Sequence, residues 1–403
     1  MKRYTLVQIK ISDAKTEKRR YKKVWHPQAR KRKGLVQTIM QRSIGMKHSN
    51  KEKASEKLLR RLLATTFVLL FTLSLAALPT AAKAPETLCP GGIPFGIRFM
   101  TDGIYVVGFS DVNENGASYS PAKEAGIREN DCIVKCNEQE VKSAEEFTSF
   151  VEGSDGKPIT LCVKRGKEAL TITIMPRKSD LDQKYKSGMW IRDSGAGIGT
   201  VTFVDPESYL FGGLGHGICN NGNGDLVSMT RGTIFDVNVS DVIKGKQGAP
   251  GEIKGYFTPK KIGTLLDNTD LGMFGAVTEM PDKMQNDPHC KPIPIGKRNE
   301  ITEGKATIYS TLDENGITEY EIELTDIRRD TVGGKCFTVK ITDERLLKKS
   351  GGIIQGMSGS PIIQNGKLVG AVTHVLINDP TTGYGIFIEN MLNAANIPMA
   401  KAS

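Results

Sequence analysis

The sequence predicts a mainly β protein with a hydrophobic amino-terminal helix, a small α+β module and a carboxy-terminal domain of the β-barrel type. Three observations predict this fold class. From about residue 189, short β-type runs alternate with glycine-containing turns. The composition has 43 glycines but only 14 phenylalanines in 403 residues, which is typical of turn-rich β structure. One stretch near the amino terminus, residues 62–78, contains no charged residue.

Charge divides the chain near its amino-terminal end. Residues 1–61 contain 20 Lys and Arg against 4 Asp and Glu, whereas residues 62–403 contain 35 against 41. The basic tail is either a surface for anionic lipid or nucleic acid, or a solvated leader. Met46 is an alternative start to Met1. We expect no nucleic-acid partner for the folded part, which is mildly acidic.

The uncharged stretch, residues 62–78, predicts a signal sequence or a membrane anchor. Arg60 and Arg61 precede it, and 17 uncharged residues are within reach of both structures. The segment Ala82-Lys83-Ala84 matches a signal cleavage site, so whether the stretch is cut or retained stays open. Since positive flanks stay in the cytoplasm, everything after about Pro79 is expected outside it.

Residues 92–178 have the pattern of one small α+β domain. Two short strands lead into the segment S-P-A-x-x-A-G-I-x-x-x-D-x-I, residues 120–133, and a helix over residues 143–151 precedes a hairpin. This order resembles a PDZ domain of the bacterial peptidase type. The resemblance implies that an extended peptide adds as a strand and that Phe95, Gly96 and Ile97 receive its carboxylate. The alternative is a PDZ fold that serves only as a packed spacer.

The hairpin near the carboxy terminus organises the last domain. β-type runs over residues 360–364 and 367–377 flank Asn365-Gly366, a dipeptide suited to a two-residue type I′ turn. The predicted domain boundaries are a basic tail 1–61, a hydrophobic segment 62–78, a linker 79–91, the α+β module 92–178, a linker 179–190 and the barrel domain 191–397.

A serine between glycines lies at the mouth of this hairpin, in the segment GMSGSP, residues 356–361. This segment continues into a hairpin, whereas the nucleophile elbow of α/β-hydrolases joins a strand to a helix, so that elbow is disfavoured. It resembles instead the G-D-S-G-G-P loop of chymotrypsin-like serine peptidases. The resemblance implies that Ser358 is the nucleophile and that the N–H groups of Gly356 and Ser358 form the oxyanion hole. A tight turn without chemistry is the alternative.

A serine hydroxyl needs a base, and five histidines are available. His216 lies in the glycine-rich segment LGHG, which would present an imidazole on an irregular turn. His374 lies inside the strand that follows the hairpin. We take His216 as the general base and His374 as the second choice. Thr373 and His374 are assigned to the strand that pairs with substrate and lines its pocket.

Spacing alone leaves the third catalytic residue open among six carboxylates, Asp225, Asp236, Asp241, Asp326, Asp330 and Asp343. The whole order, from basic tail and hydrophobic segment through PDZ to G-L-G-H-G and G-M-S-G-S-P, is similar to the sporulation stage IV B serine peptidase family. In that family an I-T-D segment precedes the serine motif and carries the acid. The resemblance therefore implies Asp343, whose alternative role is to cap a short helix over residues 344–349.

The family resemblance also implies a function. Such peptidases act outside the cytoplasm, between forespore and mother cell, where they cleave themselves and a membrane-bound regulatory partner. The implied enzyme is a serine endopeptidase without cofactor or metal, and residues 80–88 are a plausible place for self-cleavage. Two alternatives remain, a catalytically silent PDZ scaffold and a general envelope quality-control protease.

The seven cysteines contain no C-x-x-C pair and are expected to be mostly buried free thiols.

Overall fold

The computed structural model describes residues 61–66, 85–219 and 224–396. Contacts divide the chain into two units, Met1–Ala81 and Ala82–Ser403. Of the first unit only residues 61–66 are described, and they are helical. The predicted basic tail before Arg61 and the predicted hydrophobic segment beyond residue 66 lie outside the described residues. Across the three described ranges, no helix has the length and apolar character needed to span a bilayer.

The second unit is mainly β, as the sequence predicts. Its described residues contain one 3₁₀ helix, Pro288–Cys290, and five short α-helices: α1 (Pro121–Glu124), α2 (Ala144–Glu152), α3 (Asp282–Gln285), α4 (Glu344–Ser350) and α5 (Ile388–Ala394). The described strands, in chain order, are β1 (Thr87–Pro90), β2 (Pro94–Phe109), β3 (Val112–Glu114), β4 (Ala117–Tyr119), β5 (Cys132–Cys136), β6 (Gln139–Glu140), β7 (Ile159–Arg165), β8 (Glu168–Ile174), β9 (Arg177–Lys178), β10 (Tyr185–Lys186), β11 (Met189–Val204), β12 (Leu210–Gly213), β13 (Met229–Ile243), β14 (Glu252–Thr269), β15 (Gly272–Val277), β16 (Ile293–Pro294), β17 (Gly304–Ser310), β18 (Thr318–Thr325), β19 (Phe337–Ile341), β20 (Pro361–Gln364), β21 (Lys367–Leu376) and β22 (Asp379–Phe387).

Six strands pair in a closed ring, in the order β2, β11, β12, β15, β14 and β13, with β13 returning to β2. Alternation along β2 explains which side chains enter this first ring. Phe95, Ile97 and Phe99 are buried, while Arg98 and Met100 between and after them are exposed. The period of two matches a strand with one face toward a core. Full pairing around the ring leaves no free strand edge there.

Strands β17, β18, β19, β22, β21 and β20 form a second, closed barrel. The predicted hairpin lies in this barrel, where Asn365 and Gly366 join β20 to β21 with φ angles of 52° and 72°. Positive φ at both central positions is the type I′ geometry that the dipeptide predicts. Phe337, Phe387 and many aliphatic side chains fill the interior. The carboxy-terminal β-barrel prediction is therefore confirmed at the level of the fold.

The PDZ module packs around a separate core that includes Ile104, Phe147 and Val151. Its strands β5, β7 and β8 continue the sheet from the second half of β2, through the pairing of Ile104 with Ile133. Helix α2 begins at the N-cap Ser143, whose side chain accepts the N–H of Glu146. Strand β2 therefore serves two structures, because its first half belongs to the ring and its second half to the PDZ module.

Both predicted linkers are more structured than the sequence indicates. Within 79–91, residues Thr87–Pro90 form β1, which pairs with β11 and β16, and Leu88 is completely buried. The carboxy-terminal end of the predicted self-cleavage region 80–88 is thus part of a buried strand. Leu88 packs in the core of the barrel, and the next residue, Cys89, packs in the core of the first ring. Within 179–190, Tyr185–Lys186 pairs as β10 and β11 already begins at Met189.

All seven cysteines are free thiols and five are buried.

Candidate active site

The loop of residues 355–360 holds Ser358 between α4 and β20. Gly356 and Gly359 both have φ angles of +97°, a conformation that other residues rarely adopt. A Cβ atom at Gly359 would lie 2.0 Å from the carbonyl oxygen of Thr200, so no larger residue fits there. The two glycines therefore allow the chain to turn sharply and to pack Ser358 against a strand of the first ring.

Two N–H groups of this loop remain without an acceptor in the described structure. The N–H groups of Gln355, Met357, Gly359 and Ser360 all donate to main-chain carbonyls. Those of Gly356 and Ser358 do not, and they are the two groups that the sequence predicts for the oxyanion hole. Gly356 and Ser358 are half-buried, and two open N–H donors beside a serine are suited to receive an anionic oxygen.

His216 reaches the same place from the first ring, on the loop that follows β12. Its Nδ1 atom lies 2.9 Å from the carbonyl oxygen of Gly217. A carbonyl can only accept, so Nδ1 carries the proton and Nε2 keeps its lone pair. Burial lowers the pKa of His216 below its ordinary value, against a smaller opposing effect of the Gly217 hydrogen bond. The imidazole is thus neutral at pH 7 and has the tautomer of a general base.

His374 lies beside His216, with a distance of 5.0 Å between the ring centroids. A β-bulge places it there: Val372 pairs with Gly385 and Val375 with Gly383, so Thr373 and His374 together face Tyr384. The side chain of Thr373 is buried and donates to the carbonyls of Gly334 and Tyr384. The side chain of His374 keeps an exposed face, and partial desolvation, then His216 and Lys335, lowers its pKa to about 4. This imidazole is also neutral at pH 7.

The hydroxyl of Ser358 does not yet engage either imidazole. Its Oγ donates to the carbonyl oxygen of Thr373 at 2.6 Å. The residue next along the strand is His374, and Gly215, which precedes His216, packs against Thr373 and Ile386. The candidate nucleophile and both candidate bases therefore meet at one junction between the ring and the barrel. A rotation about the Cα–Cβ bond of Ser358 is required for proton transfer.

Strand β11 fixes the serine loop from the other side. The N–H of Thr200 donates to the carbonyl of Ser358 at 3.0 Å, and its hydroxyl donates to the carbonyl of Gly356 at 2.7 Å. Thr202 donates in the same way to the carbonyl of Gly359 at 2.7 Å. These three hydrogen bonds hold the carbonyls of the loop toward β11.

The family comparison covers the part of the chain that contains this site. The family described as "SpoIVB peptidase S55" matches residues 183–392, slightly more than half of the chain. The chain belongs to the SpoIVB peptidase S55 family. A PDZ domain also matches, over residues 94–175. Both findings confirm the resemblance that the sequence motifs indicate, and the S55 match contains both histidine and serine motifs.

Other similarities to this S55 family member are partial. "Probable protease eep" of Enterococcus faecalis is 33% identical over 111 residues, covering 27% of this chain and 25% of that protein. "Zinc metalloprotease RasP" of Oceanobacillus iheyensis is 30% identical over 61 residues, 15% of this chain and 14% of that protein. The chain thus spans about a quarter or less of these curated relatives. Among solved structures, the active form of the Rv3671c protease from M. tuberculosis has 16% identity and a TM-score of 0.27, covering 52% of this chain and 77% of that one. The PDZ domain of an SdrC-like protein from Listeria monocytogenes has 21% identity and a TM-score of 0.19, covering 22% and 87%.

Asp343, the acid that the family motif implies, has other partners in this S55 chain. It is the N-cap of α4, and its carboxylate accepts from the N–H groups of Arg345, Leu346 and Glu321. The guanidinium of Arg345 binds the same carboxylate at 2.7 Å and lowers the pKa of Asp343 to about 2. No hydrogen bond joins Asp343 to His216 in the described structure. The helix-cap alternative is therefore the arrangement observed, because the end of β19 leads directly into α4.

Phe95, Gly96 and Ile97 also lie elsewhere than the PDZ resemblance implies. They are in the first half of β2 and pair on one side with residues 197–199 of β11 and on the other with residues 234–236 of β13. The side chains of Phe95 and Ile97 are buried in the ring. This corrects their assignment as a carboxylate-binding loop, because a strand paired on both edges has no backbone groups left for a peptide.

Sequence reasoning missed several residues that shape the site. Thr200 lies in a strand of small and β-branched residues whose pattern gives no sign of its contact with the serine loop. Asn268 fixes the His216 loop, since its side-chain oxygen accepts the N–H of Ile218 at 2.8 Å and its NH₂ donates to the carbonyls of Ile218 and Val227. His289, not assigned a role, binds Asp287 and packs on Tyr309. Among the described residues, no group of three or more His, Cys, Asp and Glu is arranged to hold a metal ion.

Proposed function

We propose that this S55 family member is an exported serine endopeptidase of the sporulation type. In this proposal it cleaves its own chain and a membrane-bound regulatory partner in forespore-to-mother-cell signalling, and the PDZ module recognises peptide. One observation supports the proposal above all others. The Ser358 hydroxyl binds the carbonyl of Thr373, the next residue, His374, lies with its ring 5.0 Å from that of His216, and the serine loop leaves two N–H groups without acceptors.

The proposed reaction begins when the Ser358 hydroxyl rotates away from the Thr373 carbonyl toward Nε2 of His216. That nitrogen takes the proton as Oγ attacks the peptide carbonyl carbon. The carbonyl oxygen becomes an anion between the N–H groups of Gly356 and Ser358. The His216 imidazolium, stabilised through Nδ1 by the Gly217 carbonyl, then gives its proton to the leaving amine. Water hydrolyses the acyl-enzyme with the same imidazole acting as base.

One observation favours the silent PDZ scaffold instead. The Ser358 hydroxyl donates to a main-chain carbonyl at 2.6 Å and not to an imidazole. In a scaffold this bond would persist and the serine would be inert. A fluorophosphonate probe distinguishes the two functions, since it reacts only with an activated serine.

The test combines that probe with intact mass in a spore-forming host. We expect the full chain to be labelled on Ser358 and to appear in a self-cleaved form outside the cytoplasm. Ser358→Ala should abolish both, with a loss in cleavage rate of about 10⁴-fold or more. Ser360→Ala is the matched control, because the Ser360 hydroxyl is buried two residues away and has no hydrogen-bond partner. Equal processing in wild type and Ser358→Ala would overturn the peptidase proposal.

The substrate range needs a separate experiment. The proposed signalling peptidase should cut itself and one co-expressed membrane partner while leaving unfolded casein intact. Rapid and broad degradation of casein would favour the quality-control alternative. In this proposal self-cleavage lies outside Thr87–Pro90, because that segment is a paired strand with buried residues and would have to unfold before entering an active site.

A further inference from the structure

A groove of about 520 Å³ lies on the outer surface of the first ring, where strands β11, β2, β13 and β14 run side by side. Phe99 of β2 packs in the ring core, so Arg98 and Met100 on either side of it point outward into the groove. The residues opposite Arg98 on the neighbouring strands are Ala196 and Thr233, whose small side chains leave the groove open. No residue of the serine loop and no histidine lines it, so the groove is separate from the candidate active site.

Four basic side chains line the groove, and no carboxylate does. All four are exposed, and within the described residues none of them forms an ion pair: Arg98, Arg192, Arg231 and Lys261. The carboxylates close to them in the sequence have other partners. Asp102 binds Lys164, Asp236 binds Lys283, and Asp193 accepts the N–H of Ala144. The positive charge of the groove is therefore not compensated by neighbouring acidic groups, although the folded part of the chain is mildly acidic as a whole.

Arg98 is held in place by two aromatic rings. Its guanidinium lies 5.4 Å from the ring centroid of Phe235 and 5.3 Å from that of Phe257, and the two rings stack at 5.8 Å. A Cβ atom at Gly96 would lie 2.6 Å from the Phe257 ring, so glycine allows that ring to lie across β2. Stacking fixes the plane of the guanidinium but uses none of its N–H groups. Those donors stay available for a phosphate, which the planar guanidinium can bind through two parallel hydrogen bonds.

The arrangement of the four cations favours a broad anionic surface over a single anion. One cation comes from each of four adjacent strands, so the outer two are separated by three strand spacings, about 14 Å. A single phosphate or carboxylate could contact only one or two of them. Met100 lies among the cations and is 39% exposed. An anionic bilayer matches both features, because its phosphates lie in two dimensions above an apolar layer. The sequence also predicts a membrane segment at residues 62–78, so a bilayer is a surface that this chain is expected to meet.

We propose that this basic face of the first ring docks on the surface of an anionic phospholipid bilayer. Arg98 and Arg231 bind headgroup phosphates, Arg192 and Lys261 contribute further attraction, and Met100 reaches the boundary between headgroups and acyl chains. Each basic residue near such a surface contributes about fivefold to the affinity. Docking requires no activity of Ser358 and goes beyond the proposed function, whose peptidase part can fail without affecting it.

The test reads the groove itself, because the basic tail of the full chain would also bind anionic lipid. The full chain carrying Ser358→Ala is reconstituted in bilayer discs of phosphatidylcholine, alone or with about one third phosphatidylglycerol. Limited hydrogen peroxide converts exposed methionines to sulfoxides, and mass spectrometry of peptides gives the rate at each position. We expect Met100 to be oxidised about fivefold or more slowly in the anionic discs, and this protection to be lost at about 0.5 M NaCl. Met175 of the PDZ module, 49% exposed, is the internal reference and should be oxidised equally in both discs.

Matched variants assign the protection to the basic face. Arg98→Gln combined with Arg231→Gln should restore the oxidation of Met100 in anionic discs, although the basic tail is intact. Lys123→Gln combined with Lys157→Gln removes the same charge from exposed positions of the PDZ module and should leave Met100 protected. Arg192→Gln combined with Lys261→Gln provides a second groove pair if loss of the Arg98 stack prevents folding.

Three results would overturn the proposal. Met100 could be oxidised at the same rate in both kinds of disc, or its protection could persist in both groove variants. Inorganic phosphate without anionic lipid could protect Met100 equally well, which would make the groove a site for a free anion. Protection by a soluble polyglutamate peptide, with none from the anionic discs, would instead identify an acidic protein partner.

Discussion

At the scale of single residues, the candidate site depends on which atom each polar group faces. The imidazole of His216 faces the Gly217 carbonyl through Nδ1, the hydroxyl of Ser358 faces Thr373, and the carboxylate of Asp343 faces Arg345. None of these partners follows from residue type. The sequence motifs predict where a nucleophile and a base lie, whereas the partners decide the tautomer and the protonation state.

The buried position of His216 predicts the acid side of the pH profile. A general base works only when neutral, and burial lowers the pKa of His216 below its ordinary 6.5. We therefore expect kcat/KM for a peptide substrate to stay constant as the pH falls through 6.5 and to decline only below it. Stability should change in the same direction, because below pH 6.5 the unfolded chain binds protons that the folded imidazoles exclude.

Two variants assign that profile to one histidine. His216→Gln should remove cleavage altogether, whereas His374→Gln should keep measurable cleavage with an acid limb still below pH 6.5. The comparison is made on purified protein with the same substrate across pH 4 to 9. An acid limb above pH 6.5 in the wild type, or activity in His216→Gln, would show that His216 is not the base.

The contacts of Asp343 predict that its role is structural in this arrangement. Asp343→Asn keeps an N-cap side chain and should retain cleavage within about tenfold, whereas Asp343→Ala should lower the free energy of unfolding by about 1 kcal/mol. The stabilisation from the ionised carboxylate should be present above about pH 3.8 and be lost as the pH falls toward 2, where Asp343 titrates in the folded state. Urea unfolding and kcat/KM are measured on the same preparations.

Asp326→Asn is the matched control for that experiment. Asp326 also pairs with an arginine two residues later, Arg328, but it caps no helix. A loss in kcat of about 10⁴-fold in Asp343→Asn, with Asp326→Asn unaffected, would mean that Asp343 orients an imidazole in a rearranged active state. That outcome would agree with the family motif and contradict the arrangement described here.

At the scale of elements, strand β11 is the connection between the parts of the site. Near its start, Met189 and Ile191 line a cavity of about 380 Å³ beside α2, and further along Thr200 and Thr202 hold the loop of Ser358. Between these two ends β11 pairs with β2, with register shifts between Trp190 and Ile191 and between Arg192 and Ser194. Contacts made at one end of β11 are therefore made by the same element that fixes the nucleophile.

The substitution Thr200→Val tests how much the hydrogen bond from β11 to the serine loop contributes to catalysis and stability. Valine keeps the shape and β propensity of threonine but removes the hydroxyl that donates to the Gly356 carbonyl. Leaving this partly buried carbonyl unpaired should cost about 1 kcal/mol of stability and displace the neighbouring N–H of Gly356. We expect kcat to fall about tenfold or more with a smaller change in KM, measured against Thr160→Val, whose position is exposed in the PDZ module. Unchanged kcat in a folded Thr200→Val protein would contradict this role.

At the scale of the whole second unit, the PDZ module and the first ring share strands. Strand β2 gives its first half to the ring and its second half to the PDZ module, and β11 pairs with both halves. Separate domains joined by linkers would unfold independently. Here removal of the PDZ module or of the first ring would leave strands of the other without their hydrogen-bonding partners.

This sharing predicts cooperative unfolding. Residues 85–396 should unfold in one transition by fluorescence and by circular dichroism, with coincident midpoints. In the fragment 183–396, which contains the S55 match but lacks β2, the first ring should not fold, since β11 and β13 would each lose a partner strand. Two separated transitions in the longer fragment, or a folded and active shorter fragment, would contradict the shared architecture.

By itself the sequence determined the features that depend on local chemistry. The type I′ hairpin at Asn365-Gly366, the glycines around Ser358, the N-cap Ser143 and the alternation of β19 are all encoded within a few neighbouring residues. Only the tertiary structure decided that Phe95–Ile97 is a ring strand, that Met189 and Ile191 line a cavity beside α2, and that Asp343 caps a helix. The physical reason is that strand pairing and side-chain hydrogen bonds join residues far apart in the chain, such as Thr200 and Gly356. The pattern of neighbouring residues does not specify which distant partner each residue meets.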